Sequence, residues 1–301
     1  MQENNSCIDT FEAIRRLRAH LNQLSIPGNR FTEPRGAEEK AAYIRATIEA
    51  CHLPVKQHRF RAWGASGENL IVDIGEDRGQ GQDTLFLGAH YDSVPGCPGA
   101  NDNASGVACL LALCEHLSTL TSVSQALRVC FWDMEEVGKQ GSYAYLRSHL
   151  GGTHKRAMGI VLDMIGWRSD ATFSQSFPPG FPLAYPWLYL RSLMSLNRAT
   201  GHFFVARRSD LEAFQPAWRL PRTSRLVVAP ASLKRASSLG LCDSDHYSFW
   251  RLGFPAVLVT DSGRYRNSAY HTVNDQTVHV DDYAMLEVYQ WLQVMINPSV
   301  S

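Results

Sequence analysis

The sequence predicts an α/β fold: a mostly parallel sheet with helices on both faces. Two observations predict it. Short apolar or alternating runs take turns with longer segments whose apolar residues recur at helical spacing, the pattern of strands separated by crossover helices. One of the strand runs, "AMGIVLDMIGW", is apolar almost throughout, as a strand covered on both faces is.

In chain order, residues 8–24 read as a helix through Ile14, Leu17, Leu21 and Leu24, and residues 37–51 through Ala41, Ile44 and Ile48. "ENLIVDIG" and "DTLFLGAHY" read as strands. A helix over 104–118 follows, with Ser105 placed to cap it. Then come the strand "ALRVCFWDME", the helix "GSYAYLRSHL" and the strand "AMGIVLDMIGW". Residues 168–240 are rich in Pro, Ser and aromatics. They predict one helix near 185–196 and are read as an irregular insertion on the rim of a single domain spanning 1–301. Order returns with the helix "SDHYSFWRLGF" and the strand "FPAVLVTDS". A last helix presents Met285, Val288, Leu292 and Met295 on one face.

At 301 residues and 45% hydrophobic, the chain is long enough to bury a sizeable core. Lys+Arg and Asp+Glu both number 29, which argues against general attraction to nucleic acid or to a membrane surface. No run reaches the length of a membrane span. The opening "MQENNSCIDTFEAIRRL" has no apolar signal region, so the expected location is cytoplasmic, or secreted if a leading segment has been removed. The seven cysteines include no CxxC pair. Cys109, Cys114 and Cys130 read as small buried hydrophobes. Cys97 and Cys242 lie beside acidic loop clusters, where pairing is open, but free thiols are the expectation.

The chemistry collects where strands end. In open α/β sheets sites form at the carboxyl ends of strands, and here those ends carry His90 and Asp92, then Asp102, then Glu135 and Glu136, then Asp163, then His271. Each has a plain reading: a hydrogen-bonded structural histidine, a helix-capping Asp102, a solvated Glu pair. Asp163 resists one, since an acid in an apolar strand must be paired or bound to a cation. Taken together, two histidines and three carboxylates form a donor set suited to zinc. They serve two metals if Asp102 is shared, and three carboxylates plus one hydroxide balance four positive charges. Neighbouring glutamates at a strand end point in opposite directions, so one can ligate while the other moves a proton. Asp92, two residues beyond His90, can accept the second imidazole N–H.

"HYDS", "GANDNASG", "EEVGKQGS", "LDMIG", "SDHYSF" and "YHTVND" resemble, in order and spacing, the M28 family of zinc aminopeptidases over residues 85–276. The resemblance implies a three-layer α/β/α sandwich around a mixed sheet of about eight strands. It implies two zinc ions per chain, one on His90 and Asp163, the other on Glu136 and His271, bridged by Asp102. Glu135 takes the place of the general base and Tyr270 that of a tyrosine that helps hold the tetrahedral intermediate. A cis peptide is implied after Asp102. The implied reaction is hydrolysis of the N-terminal bond of a peptide or aminoacyl substrate. The rivals are a one-zinc glutaminyl cyclase, a related dinuclear carboxypeptidase or amidase, with Arg264 and Arg266 as candidate carboxylate binders, and a non-catalytic metal-stabilised binding module. Residues 168–240 match no motif of the family, and the oligomeric state is left open.

Overall fold

The computed structural model describes residues 3–75, 84–120, 123, 125–151, 157–214 and 220–296, and in the first helix the side chains from residue 10 onward. Two helices, α1 (Glu3–Leu24) and α2 (Pro34–Ala50), precede a hairpin of β1 (Val55–Ala62) and β2 (Ala65–Ile74). Then come β3 (Thr84–His90), α3 (Ser105–Ser118), β4 (Leu127–Trp132), α4 (Gln140–Leu150) and β5 (Ala157–Leu162). The next stretch holds α5 (Phe181–Ala184), α6 (Pro186–Met194), β6 (Phe203–Arg207), α7 (Arg208–Ala213), β7 (Arg225–Ala229) and α8 (Leu233–Ser238). The chain closes with α9 (His246–Arg251), β8 (Ala256–Thr260) and α10 (Asp282–Ile296).

All eight strands form one mixed sheet in the order β1-β2-β4-β3-β5-β8-β6-β7. The four central strands β4, β3, β5 and β8 run parallel, so their carboxyl ends emerge along one edge. Antiparallel pairs flank them: β2 with β4 on one side, β6 with β8 on the other. Side chains alternate between two cores. Leu85 and Leu87 of β3 face the core that holds α1, α3 and α10, while Phe86 faces the core that holds α4 and α9. Helix α3 is buried from Ser105 to Cys114, which is why it is apolar nearly all round. Gly88 leaves room for the second core, since a Cβ there would lie 2.5 Å from Trp132 Nε1.

Three expectations change. Residues 168–240 are not an irregular rim: they add β6 and β7 to the sheet, β6 paired directly with β8. Their strands are only five residues long, with helix α7 between them, which hides the alternation. Strand β1, not anticipated, is charged and half exposed, an edge strand whose polarity masks its period. Ser105 does not cap α3. It sits one residue inside, donating to the Asn101 carbonyl and accepting from the Ile165 amide.

Candidate metal centre

The parallel strands end together, and the donors that end or follow them face one another. His90 is the final residue of β3 and is 1% exposed. Its Nε2 lies 3.3 Å from Asp102 Oδ1 and 3.4 Å from Asp163 Oδ1. On the other side, His271 Nε2 lies 3.1 Å from Asp102 Oδ2 and 3.2 Å from Glu136 Oε2. Asp102 thus stands in the middle and turns one carboxylate oxygen to each histidine. Two triads of donor atoms result, His90–Asp102–Asp163 and Asp102–Glu136–His271, each within 4.8 Å.

The loop that carries Asp102 is clamped from several directions. Gly99 adopts φ 67°, and a Cβ there would meet the Asp102 carbonyl at 2.5 Å, so the turn requires glycine. The Asp102–Asn103 peptide is cis. Asp275 accepts the amides of Asn101 and Asp102 at 3.0 Å each. Asn103 donates to the Leu162 carbonyl and accepts from Met164, tying the loop to the strand end that bears Asp163. His271 is held at φ 59°, a left-handed conformation that non-glycine residues rarely take and that functional sites often retain.

Asp92 holds two parts of the site at once. The nearest acceptor to His90 Nδ1 is the Asp92 carbonyl at 3.2 Å, with the carboxylate at 3.5 Å. The carboxylate itself accepts the amides of Glu135 and Glu136, at 3.0 and 3.2 Å. It therefore fixes the turn in which the two glutamates diverge. Glu136 reaches His271, while Glu135 lies outside both triads with Lys139 Nζ 3.6 Å from its Oε1.

Burial governs the protonation of these groups. It drives the Glu135 carboxyl well above its ordinary range, with Asp245 adding to the rise and His90 opposing it. Burial, then the neighbouring Asp102, raises Glu136 to about 7. Burial raises Asp163 too. Asp102 goes the other way: burial would raise it, but hydrogen bonds to His271 and His90 hold it below the usual carboxylate range. Burial lowers His271, yet Asp102 and Glu136 outweigh it and bring the imidazole up to about 10. Tyr270 stacks on His271 with ring centroids 3.7 Å apart, and burial keeps its phenol protonated.

The donor set fits a divalent zinc centre. Glu136 Oε1 and Asp163 Oδ1 are buried without a well-placed hydrogen-bond donor, so each keeps a lone pair with which to hold a cation. Beside Asp163 and Tyr270 opens a cavity of about 100 Å³, walled by Phe177, Phe181, Leu239, Leu241 and Leu258. Arg264 at its edge pairs with Asp243 at 2.9 Å. Arg266 is turned inward, onto Gln175 and the Trp167 carbonyl, away from a substrate role.

Every residue singled out in the sequence for metal binding or catalysis is brought to this edge of the sheet. Sequence reasoning missed Asp275 and Asp245, which is fully buried close enough to Glu135 to raise its pKa. Both lie inside the quoted motifs "YHTVND" and "SDHYSF", which was the available signal. Cys97 and Cys242 are free thiols, and burial pushes each up to about 12.

The model of Peptidase family M28 matches residues 69–295, most of the chain. This chain belongs to that family. Membership places it among the metallopeptidases, zinc-dependent hydrolases. The uncharacterized protein YfbL of Escherichia coli is 27% identical over 263 residues, which is 82% of this chain and 76% of YfbL. Other curated relatives carry aminopeptidase names, and the matched part covers about a fifth of their length: 21% of the probable lipoprotein aminopeptidase LpqL of Mycobacterium tuberculosis. Two solved structures share the fold. A zinc aminopeptidase from Bacillus subtilis has a TM-score of 0.56 at 20% identity, covering 79% of this chain and 51% of that one. The glutaminyl cyclase of Porphyromonas gingivalis has a TM-score of 0.62 at 18% identity, covering 96% and 98%.

Proposed function

We propose that this M28 member is an aminopeptidase that removes the N-terminal residue of peptides with two zinc ions held side by side. The observation that carries the reading is the division of Asp102, one oxygen toward each histidine, at 3.3 and 3.1 Å. His90, Asp163 and Asp102 would hold one ion, and Glu136, His271 and Asp102 the other. Zinc bound there supplies Lewis acidity, which polarises the scissile carbonyl and makes a water molecule acidic near neutral pH. Glu135, a buried carboxylate outside both triads, accepts the proton of the attacking water and returns it to the leaving amine. Tyr270 keeps its proton and donates it in a hydrogen bond to the oxyanion. The free α-amine of the substrate lies on the Asp163 side, with its side chain in the adjoining apolar cavity, so large apolar first residues are favoured.

Dependence on a free α-amine tests this directly. A leucine-initiated peptide should be cleaved and its N-acetylated twin should not, because acetylation removes the positive charge the carboxylates seat. Equal turnover of the two would point to an endopeptidase or amidase instead.

One observation favours a second reading, a one-zinc glutaminyl cyclase: the chain spans 98% of the Porphyromonas cyclase. It leaves His90 and Asp163 without a task, and the apolar cavity walls supply little for a glutamine carboxamide. Cyclisation of a glutamine-initiated peptide faster than hydrolysis of a leucine-initiated one would establish it.

A further inference from the structure

The overall zero charge conceals a segregated surface. Of the 14 large hydrophobic side chains that are exposed among the described residues, seven lie between Phe173 and Leu196. Helix α6 shows why. Its inner face, Leu188 and Ser192, packs against the domain, and its outer face is Trp187 at 81%, Leu190 at 46% and Met194 at 80% exposure, with Leu183 just before it at 89%. A surface helix ordinarily turns polar residues outward. This one turns its apolar side to solvent, and residues that protrude this far form a ridge rather than a socket.

The charges on the segment that carries the ridge have one sign. No Asp or Glu occurs from residue 171 to 206, while Arg191 and Arg198 do. Behind α6 runs a narrow cleft lined by Arg198, Arg225 and Arg266 with Ser192, Ser195 and Thr200, and by no carboxylate. Among the described residues none of Arg191, Arg198, Arg225 and Arg266 has a carboxylate in ion-pair contact; Arg225 and Arg266 bond to carbonyl and amide oxygens instead. Burial lowers the Arg225 pKa and the nearby Arg191 lowers it further, the mark of cations crowded without a counterion. Burial likewise brings Arg266 down to about 10, with Asp261 opposing the fall and Arg225 adding to it.

We propose that the α6 ridge, with the exposed Arg191 and Arg198 beside it, forms a docking surface for an anionic lipid bilayer, the apolar side chains entering the interface and these two arginines meeting phosphodiester headgroups. Surfaces that lie on membranes combine such features, Trp and Leu entering the interface and neighbouring cations meeting the headgroups. A second copy of the chain fits poorly, because a two-fold contact would set Arg191 and Arg198 against their own copies with no acid between residues 171 and 206 to receive them. The contact is peripheral, since no helix among the described residues is long and apolar enough to cross a membrane. The segment that carries the ridge also supplies Phe177 and Phe181 to the apolar cavity, so docking would bring the mouth of the site close to the bilayer.

The test is co-sedimentation of the full chain with vesicles of phosphatidylcholine alone or mixed with phosphatidylglycerol. Binding should require the anionic lipid and weaken with salt. The double variant W187S/M194S should abolish it, and R191Q and R198Q should each weaken it about fivefold, the worth of one cation at such a surface. Hydrolysis of a soluble peptide should be unchanged in all three, which separates this proposal from the active-site reading. Equal binding to both vesicles, or none, overturns it. So does a concentration-dependent dimer that W187S/M194S breaks, which would assign the ridge to a second copy. Arginine-dependent binding of inorganic phosphate without vesicle binding would make the cleft an anion site and overturn it too.

Discussion

The two halves of the candidate metal centre use the same donor chemistry and are built differently. His90 ends β3 and Asp163 directly follows β5, and both are buried in the sheet edge, with His90 at 1% side-chain exposure. Glu136 and His271 lie on loops past β4 and β8, and His271 keeps 34% of its side chain in solvent. One half is set by hydrogen-bonded strands with little freedom. The other is set by clamps: Asp92 on the Glu136 amide, Asp275 on the Asp102 loop, and Tyr270 stacked on His271. A site on rigid elements holds its geometry without help, and a site on loops depends on the groups around it. The buried half should therefore retain metal when the exposed half has lost it.

The largest effect should come from the residue both halves share. Asp102→Ala removes a donor from each triad and leaves two cations unscreened, so most bound metal and nearly all activity should be lost, read by metal analysis and peptide turnover. Glu135→Gln should leave the comparison intact. It keeps metal and substrate binding while kcat falls by about 10²–10⁴-fold, the usual worth of a general base. Glu136→Gln, one residue away, should instead lose metal and recover part of its activity when zinc is added. A Glu135→Gln that loses metal while Glu136→Gln keeps it would exchange the two roles.

Smaller changes sharpen the contrast. Asp275→Asn removes the negative charge from two backbone hydrogen bonds, and turnover should drop by about 10–100-fold with partial zinc rescue, the cost of losing an outer support. Dilute chelator should strip the His271 side first, giving a species with half the metal and with His271, but not His90, open to modification. The pH dependence has two opposite arms. Without metal, His271 is raised from its ordinary value to about 10, so its stabilisation of the fold is complete below pH 6.5 and lost as pH rises through about 10. Zinc must displace that proton, so over the same interval zinc affinity should rise as metal-free stability falls. Thermal melts of the metal-free chain and zinc titrations across this range check both signs.

The parallel strands and the donors at their ends were legible because each is local: an apolar run followed by a His, Asp or Glu. The metal-facing residues could be placed without knowing the rest of the sheet. What was hidden was carried by pairing. Strand β1 is polar on an edge, and β6 and β7 are five residues long, so their identity as strands comes from their neighbours. Asp275 went unremarked in the sequence because its partners, the amides of Asn101 and Asp102, lie more than 170 residues away in sequence. The α6 ridge escaped notice because composition averages charge over the chain, and an amphipathic helix does not announce which face is covered.

The central claim is that one carboxylate serves two cations. The most direct measurement is the zinc content of the purified wild-type chain after equilibration with zinc and removal of the excess. The account predicts two tightly held ions per chain, one for each triad that shares Asp102. A content of one, with full activity, would contradict it.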